Sequence, residues 1–216
     1  MDVDHASDMI DVGLSVGGPP NEVVAVSVQP HGQERVLAEL LDLGYAYSSL
    51  ANLRRSGIRY VSAIPVLVDA LERETDDRKA QEIVRALSVP WAKPVAIPAL
   101  IRFFRRASAP TNLGARWATG SALEIIWDDA YFDELVELAT DVRYGRGREM
   151  IVLGFAKSKH PEANQVLLGL LADRDVNGHA VSALRKRKVR LPASVLGGLV
   201  HDDRTWVRKE AQKVLE

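Results

Sequence analysis

One interval governs what this 216-residue chain can become. A small apolar residue followed by a large one recurs along it: Ala86-Leu87, Ala122-Leu123, Gly154-Phe155 and Ala183-Leu184, with Asn52-Leu53 and Val214-Leu215 as looser copies. The large members, Leu53, Leu87, Leu123, Phe155, Leu184 and Leu215, lie 34, 36, 32, 29 and 31 residues apart. A second marker, Leu67, Leu100, Leu135, Leu167 and Leu196, recurs at intervals of 33, 35, 32 and 29. Two markers that lengthen and shorten in step indicate one supersecondary unit written several times. A unit that cannot bury its apolar faces alone must stack on copies of itself.

The stretch REMIVLGFAKSKHPEANQVLLGLLADRD, residues 148–175, shows what the unit is. Met150, Ile151, Leu153 and Phe155 carry an apolar face at three-and-four spacing, the period of a helix. Lys157–His160 breaks it, and Pro161 suits a first helical position, where a missing N–H costs little. Val166, Leu167, Leu168, Leu170 and Leu171 make a second apolar face. Asp173 and Asp175 then supply turn and N-cap chemistry for the next helix. The unit is helix–turn–helix. Laid along the chain, it predicts an opening helix over 33–43 and pairs near 45–55/60–73, 77–88/94–107, 112–126/130–140, 146–157/162–172 and 176–187/192–201. A closing helix follows over 204–215. Lys209, Glu210, Gln212, Lys213 and Glu216 would give the last helix the polar outer surface a terminal repeat requires. Pro65 and Pro98 fall at equivalent places, expected in the first turn of second helices.

These units resemble HEAT repeats of the short bacterial kind also found in phycocyanobilin lyases. The likeness rests on the 148–175 stretch, on DDRTWVRKEAQKVLE, and on AIPVLVDALE and AIPALIRFF as second helices. It covers about residues 32–216. It implies an all-α fold: a right-handed α-solenoid, or superhelix, of about five HEAT-like helix pairs with half-repeat caps. First helices would lie on the convex side and second helices would line a concave groove.

Residues 1–31 read differently. Gly17-Gly18-Pro19-Pro20-Asn21 is a turn or linker signal between two weakly alternating stretches. A flexible tail is expected there, with a short hairpin as the alternative.

Composition removes several function classes. The chain has no cysteine, so thiolate nucleophiles, disulfides and cysteine-ligated metals are excluded. Its net charge of −1 exerts no global pull on nucleic acid. The acidic start MDVDHASDMIDVG lacks the basic and apolar regions of a signal peptide, and no apolar run approaches a membrane span, so a cytoplasmic protein is expected. His160, His179 and His201 share no face, which argues against a metal site. No nucleophile–base pair and no phosphate loop is present, so no catalytic residue, no enzymatic activity and no cofactor is expected.

Four features bear on binding. In a solenoid the turns inside repeats line one edge, and here they are basic apart from Asp128 and Asp129, ending in Arg185, Lys186, Arg187, Lys188 and Arg190. Helix-dipole complementarity explains part of this row, and a phosphate or acidic-protein site is the alternative for the final five. Two residues past each second-helix leucine stand Asp69, Arg102, Glu137, Gly169 and Gly198, which should face the groove. The first three alternate in sign and would link neighbouring helices, whereas the two glycines leave the floor low for a partner backbone. Arg105, Glu134 and Gln165 should lie nearby. Arg116, Arg148 and Arg208 occupy one equivalent position; in HEAT repeats such arginines pair with an aspartate of the preceding turn, here Asp141 or Asp202 and Asp203, as a register ladder, with an anion site as the alternative. Among the tryptophans, Trp91 and Trp127 are expected to lid the core at turns and Trp206 to pack on the preceding repeat. Trp117 stands where its equivalents are polar, so an exposed contact aromatic and a residue packed on a neighbouring helix both remain open.

The resulting expectation is a non-enzymatic scaffold that binds a protein partner through the groove and the basic edge. The alternatives implied by resemblance are a bilin lyase or chaperone with a tetrapyrrole partner, and a nucleic-acid protein similar to HEAT-like alkylpurine DNA glycosylases. A mixed-sign groove counts against the latter. The oligomeric state stays open, with a monomer favoured.

Overall fold

A computed structural model of the chain describes residues 33–108 and 114–215. The expected tail or hairpin of residues 1–31, the first residues of the third pair and Glu216 lie outside them. Among the described residues twelve α-helices run in order: α1 Gln33–Asp42, α2 Leu50–Arg55, α3 Ile64–Arg73, α4 Asp77–Leu87, α5 Lys93–Arg106, α6 Ala115–Ile125, α7 Phe132–Thr140, α8 Glu149–Gly154, α9 Ala163–Gly169, α10 Asn177–Lys186, α11 Ala193–Leu196 and α12 Thr205–Val214. Short 3₁₀ turns extend several of them. Among the described residues there is no strand, only an isolated parallel bridge in which Leu191 N–H donates to the Val214 carbonyl.

The helices pack in two layers. The even-numbered helices α2, α4, α6, α8, α10 and α12 each pack on the next. In the other layer α1 packs on α3, α3 on α5, and α5 more lightly on α7. Both markers of the sequence are the reason. Leu53, Leu87, Leu123, Phe155 and Leu184 are buried, and so are the small residues Ala86, Ala122, Gly154 and Ala183 that precede four of them. Leu67, Leu100, Leu135, Leu167 and Leu196 are buried on the second helices. Burying side chains of this size from water stabilises each by about 1.5–3 kcal/mol, which is why the interval persists along the chain.

Three local expectations need correction. The expected helices over 146–157 and 192–201 are each only partly α-helical. Gly145 takes a positive φ of 48° inside a 3₁₀ stretch, Val142–Arg148, so α8 starts late. Gly197-Gly198 ends α11 after one turn, and a 3₁₀ stretch, Gly197–His201, continues it. Pro98 lies inside α5, because that helix begins at Lys93, with Pro94 in its first turn; Pro65 does sit in the first turn of α3. Asp175 does not cap α10, whose N-cap is Val176 with no side-chain bond. The capping role falls elsewhere: Ser49 caps α2, and the Asp76 carboxylate accepts from the Arg78 and Lys79 amides at the start of α4.

Candidate functional site

The sequence places its expected groove residues on the face opposite the buried leucines of the second helices. A residue two positions on from a buried one lies about 200° round the helix and points outward. Asp69, Arg102, Glu137, Gly169 and Gly198 are all exposed, as that geometry requires.

The face has two halves. In the first, ion pairs cross from helix to helix. Arg73 of α3 reaches back to Glu39 of α1 at 2.9 Å. Arg102 of α5 donates through Nε to Glu72 of α3 at 2.9 Å, and Arg106 pairs with the same carboxylate at 3.2 Å. Arg105 of α5 reaches forward to Glu137 of α7 at 2.8 Å. The expected linking by alternating charges at Asp69, Arg102 and Glu137 is therefore corrected: Asp69 pairs with Arg73 of its own helix, and Arg102 takes Glu72 instead. One turn of offset decides it, since Arg102 finds Glu72 within reach across the packed α3–α5 seam.

In the second half the seams open. α9 carries no charged residue, and among the described residues no ion pair joins α7 to α9 or α9 to α11. Two adjoining clefts lie there. One, of about 710 Å³, is bounded by Thr140, Val142, Glu162, Gln165, Val166 and Gly169. The other, of about 670 Å³, is bounded by Leu168, Leu171, Arg174, Val195, Gly198 and His201. Ala172 borders both. Each is within the range of about 300–1,000 Å³ typical of ligand sites. A Cβ added to Gly169 or Gly198 would meet nothing within 4 Å, so both glycines leave open space on the floor. Val142, Leu168 and Val195 are large apolar side chains left exposed at the rims, Val142 by 70%. Of the six expected groove residues, only Gln165 lines a cleft. Glu134 is half-buried on α7, and Arg102, Arg105 and Glu137 are held in the charged half. Sequence reasoning passed over Val142 and Val195 and counted Leu168 with the apolar face of its helix, whereas it is 37% exposed; the two glycines in register were the signal that pointed to this place.

The basic edge resolves into tethers. Arg185 pairs with Glu210 of α12 at 2.6 Å. Arg187 donates to Asn164 and to the carbonyls of Phe155 and Ser158 at the end of the preceding first helix. Arg190 donates to the Lys213 and Leu215 carbonyls at the end of α12. Lys157 does the same to the Glu124 carbonyl of α6. Helix ends leave carbonyls without intrahelical partners, and these cations satisfy them across the repeat seam. Of the expected five, Lys186, Lys188 and Arg190 stand exposed without an ion pair among the described residues, and of these Arg190 is still held by carbonyls. The excess of charge that suggested a phosphate site is thus largely spent on neighbours.

The equivalent arginines act likewise, with a correction to their partners. Arg116 donates to the Phe104 and Ala107 carbonyls at the end of α5 and lies over the Tyr144 ring, 4.9 Å from its centroid. Burial pushes its guanidinium below the usual arginine value. Arg208 donates to the backbone carbonyls of Asp202 and Asp203, not to their carboxylates. Arg148 takes the Ala139 carbonyl behind it, and its carboxylate partner is Asp173 of the following turn, not Asp141, which is occupied by Arg143.

Among the aromatics, Trp127 is buried, its ring edge-on to Phe155 at 4.8 Å, and its indole N–H donates to Asp129. Trp91 meets Tyr60 edge-on at 5.5 Å. The exposed aromatic is Trp206, not Trp117. Trp206 covers Gly178 and the edge of His179 yet is 44% exposed. Trp117 is half-buried, and its indole N–H donates to the buried Glu149 of α8 at 3.1 Å. His160 stacks on Phe132, His179 is half-buried and His201 is exposed. Among the described residues no group of three or more histidines and carboxylates is placed to hold a metal. No helix among them is long and apolar enough to cross a membrane.

Comparison of the chain with protein-family models, with curated proteins and with solved structures finds no match.

Proposed function

We propose that this protein is a non-enzymatic binding module, a right-handed α-solenoid of HEAT-like pairs that holds a segment of a partner protein against its second-helix face. One observation carries the reading: the charged seams that stitch α1, α3, α5 and α7 stop at α7, and two glycine-floored apolar clefts take their place. Repeat proteins expose extended faces of this kind for binding. The tethered arginines of the basic edge weigh against nucleic acid, whose phosphates need cations that are still uncommitted.

Affinity capture followed by mass spectrometry tests this. Wild type is compared with Gly169→Leu/Gly198→Leu, which fills both clefts from the floor, and with Lys186→Ala/Lys188→Ala on the edge. The reading expects partners retained by the lysine variant and lost by the filled one. Recovery of the same partners with both clefts filled overturns it.

A further inference from the structure

The clefts also carry a sign. Residues 128–142, which hold α7, contain Asp128, Asp129, Asp133, Glu134, Glu137 and Asp141 and no lysine or arginine. Residues 160–173, which hold α9, contain only Glu162 and Asp173 as charged residues. Residues 191–203, which hold α11, contain only Asp202 and Asp203. The single arginine on a cleft wall, Arg174, is committed to Asp203 through two contacts of 3.0 and 2.8 Å. Asp173 is committed to Arg148 and Asp202 to Arg204. Glu162, exposed on the wall of the first cleft, and Asp133 and Glu134 on α7 make no ion pair among the described residues. An apolar floor beneath an acidic rim with no uncommitted cation selects one kind of guest.

We infer that the α7–α9–α11 clefts take a cationic amphipathic segment of a partner protein, which seats aliphatic side chains over Gly169 and Gly198 and turns lysine or arginine toward Glu162 and the α7 carboxylates. This rests on the binding-module reading above. The helix-in-groove mode supplies the physics: apolar area gives affinity, while complementary charge sets orientation and excludes wrong partners. The chain's own residues 1–32 fit poorly as the guest. They hold Asp2, Asp4, Asp8, Asp11 and Glu22 and no lysine or arginine, so they would bring like charge to the rim.

The test uses the full chain and three fluorescein-labelled peptides of about 18 residues, five helical turns, with identical leucine faces and with lysine, glutamine or glutamate at the polar positions. Binding is read by anisotropy at about 20 mM and about 0.3 M salt, on either side of the range where surface charges are screened. The lysine peptide should bind about tenfold or more tighter than the other two at low salt and lose that margin at high salt. Gly169→Leu should weaken it about tenfold with the melting temperature unchanged, and Glu162→Lys should weaken the lysine peptide while leaving the glutamine peptide unaffected. If the glutamine or glutamate peptide binds as tightly and is still displaced by Gly169→Leu, the cationic guest is overturned and the binding-module reading survives. If no peptide binds, or none responds to Gly169→Leu, the inference fails as well, and in the second case the cleft reading fails with it.

Discussion

Arg148 Nη1 donates to Asp173 Oδ2 across 2.7 Å, and the arginine does so with none of its side chain exposed. The same guanidinium donates to the carbonyls of Gly145 and Ala139. One side chain thus joins the end of α7, the glycine turn before α8 and the turn that leads into α10. A second carboxylate, that of Asp175, stands farther off at 3.8 Å and is half exposed, so Asp173 is the close partner of a buried charge that is expensive to orphan.

Asp173→Ala should therefore destabilise the protein by about 3 kcal/mol, and Arg148→Met by less, since methionine fills much of the space without leaving an unpaired charge. Urea unfolding of both variants checks the order. An Asp173→Ala midpoint within error of wild type would show that the pair contributes nothing.

Gly154 and Gly178 occupy similar places under a tryptophan, and the two sites should respond differently to alanine. A Cβ on Gly154 would lie 2.5 Å from the Trp127 ring, which is buried and held by its bond to Asp129. A Cβ on Gly178 would come closer still to Trp206 and would meet the buried Val207 side chain at 2.8 Å, but the Trp206 ring is 44% exposed and can move outward, and the valine contact is a methyl tip. Alanine gains about 1 kcal/mol of helix propensity at either site. At Gly154 the overpacking cost, about 1–3 kcal/mol, should outweigh it. Thermal melts should show Gly154→Ala the less stable of the two, and equal melting temperatures would refute the rigidity assigned to Trp127.

Lys188 is the one non-glycine residue with a positive φ among the described residues, at 61°. It follows the last turn of α10, where Val189 N–H reaches back to the Leu184 carbonyl and Lys188 N–H to that of Arg185. This is the position that glycine fills most cheaply. Lys188→Gly should raise stability by about 1 kcal/mol, less the chain entropy that glycine adds to the unfolded state. A lower melting temperature would mean that the lysine side chain is engaged in a contact of its own.

Acid should weaken the fold in two stages. Burial pushes the His179 imidazole below its usual value, against Glu149, which favours the charged form, and with Arg146 and Arg204, which oppose it. The Arg204 guanidinium and backbone N–H hold the Asp202 carboxyl well below the usual carboxylate range. Burial alone would raise Asp129, but hydrogen bonds from Ser158, Trp127 and the Lys159 amide outweigh it and leave that carboxyl lowered too. In each case the folded state binds fewer protons than the unfolded one, so stability falls as pH falls. The His179 contribution is lost from about pH 6.5 downward and the aspartate contributions from about pH 4 downward. Urea midpoints between pH 8 and 3 should trace both stages. His179→Leu should flatten the first stage and Asp202→Asn should reduce the second, and a wild-type profile level from pH 8 to 5 would contradict the first.

What the sequence determined by itself is the helical unit, its interval and its buried face. Leu67, Leu100, Leu135, Leu167 and Leu196 are legible because burial on a helix repeats with the helix's own geometry, which needs no knowledge of the neighbours. The low floor at Gly169 and Gly198 was legible for the same reason. The tertiary structure alone decided what the long side chains do. Arg187 and Arg190 read as a charged surface until the carbonyl ends of neighbouring helices come within reach, and Arg102 chooses Glu72 over Asp69 by one turn of offset across a packed seam. A guanidinium on a flexible stem selects among partners some thirty residues away in sequence, and that choice depends on separations set only when the layers pack. The covering of Trp117 follows likewise from the helix packed beside it, whose Glu149 accepts its indole N–H.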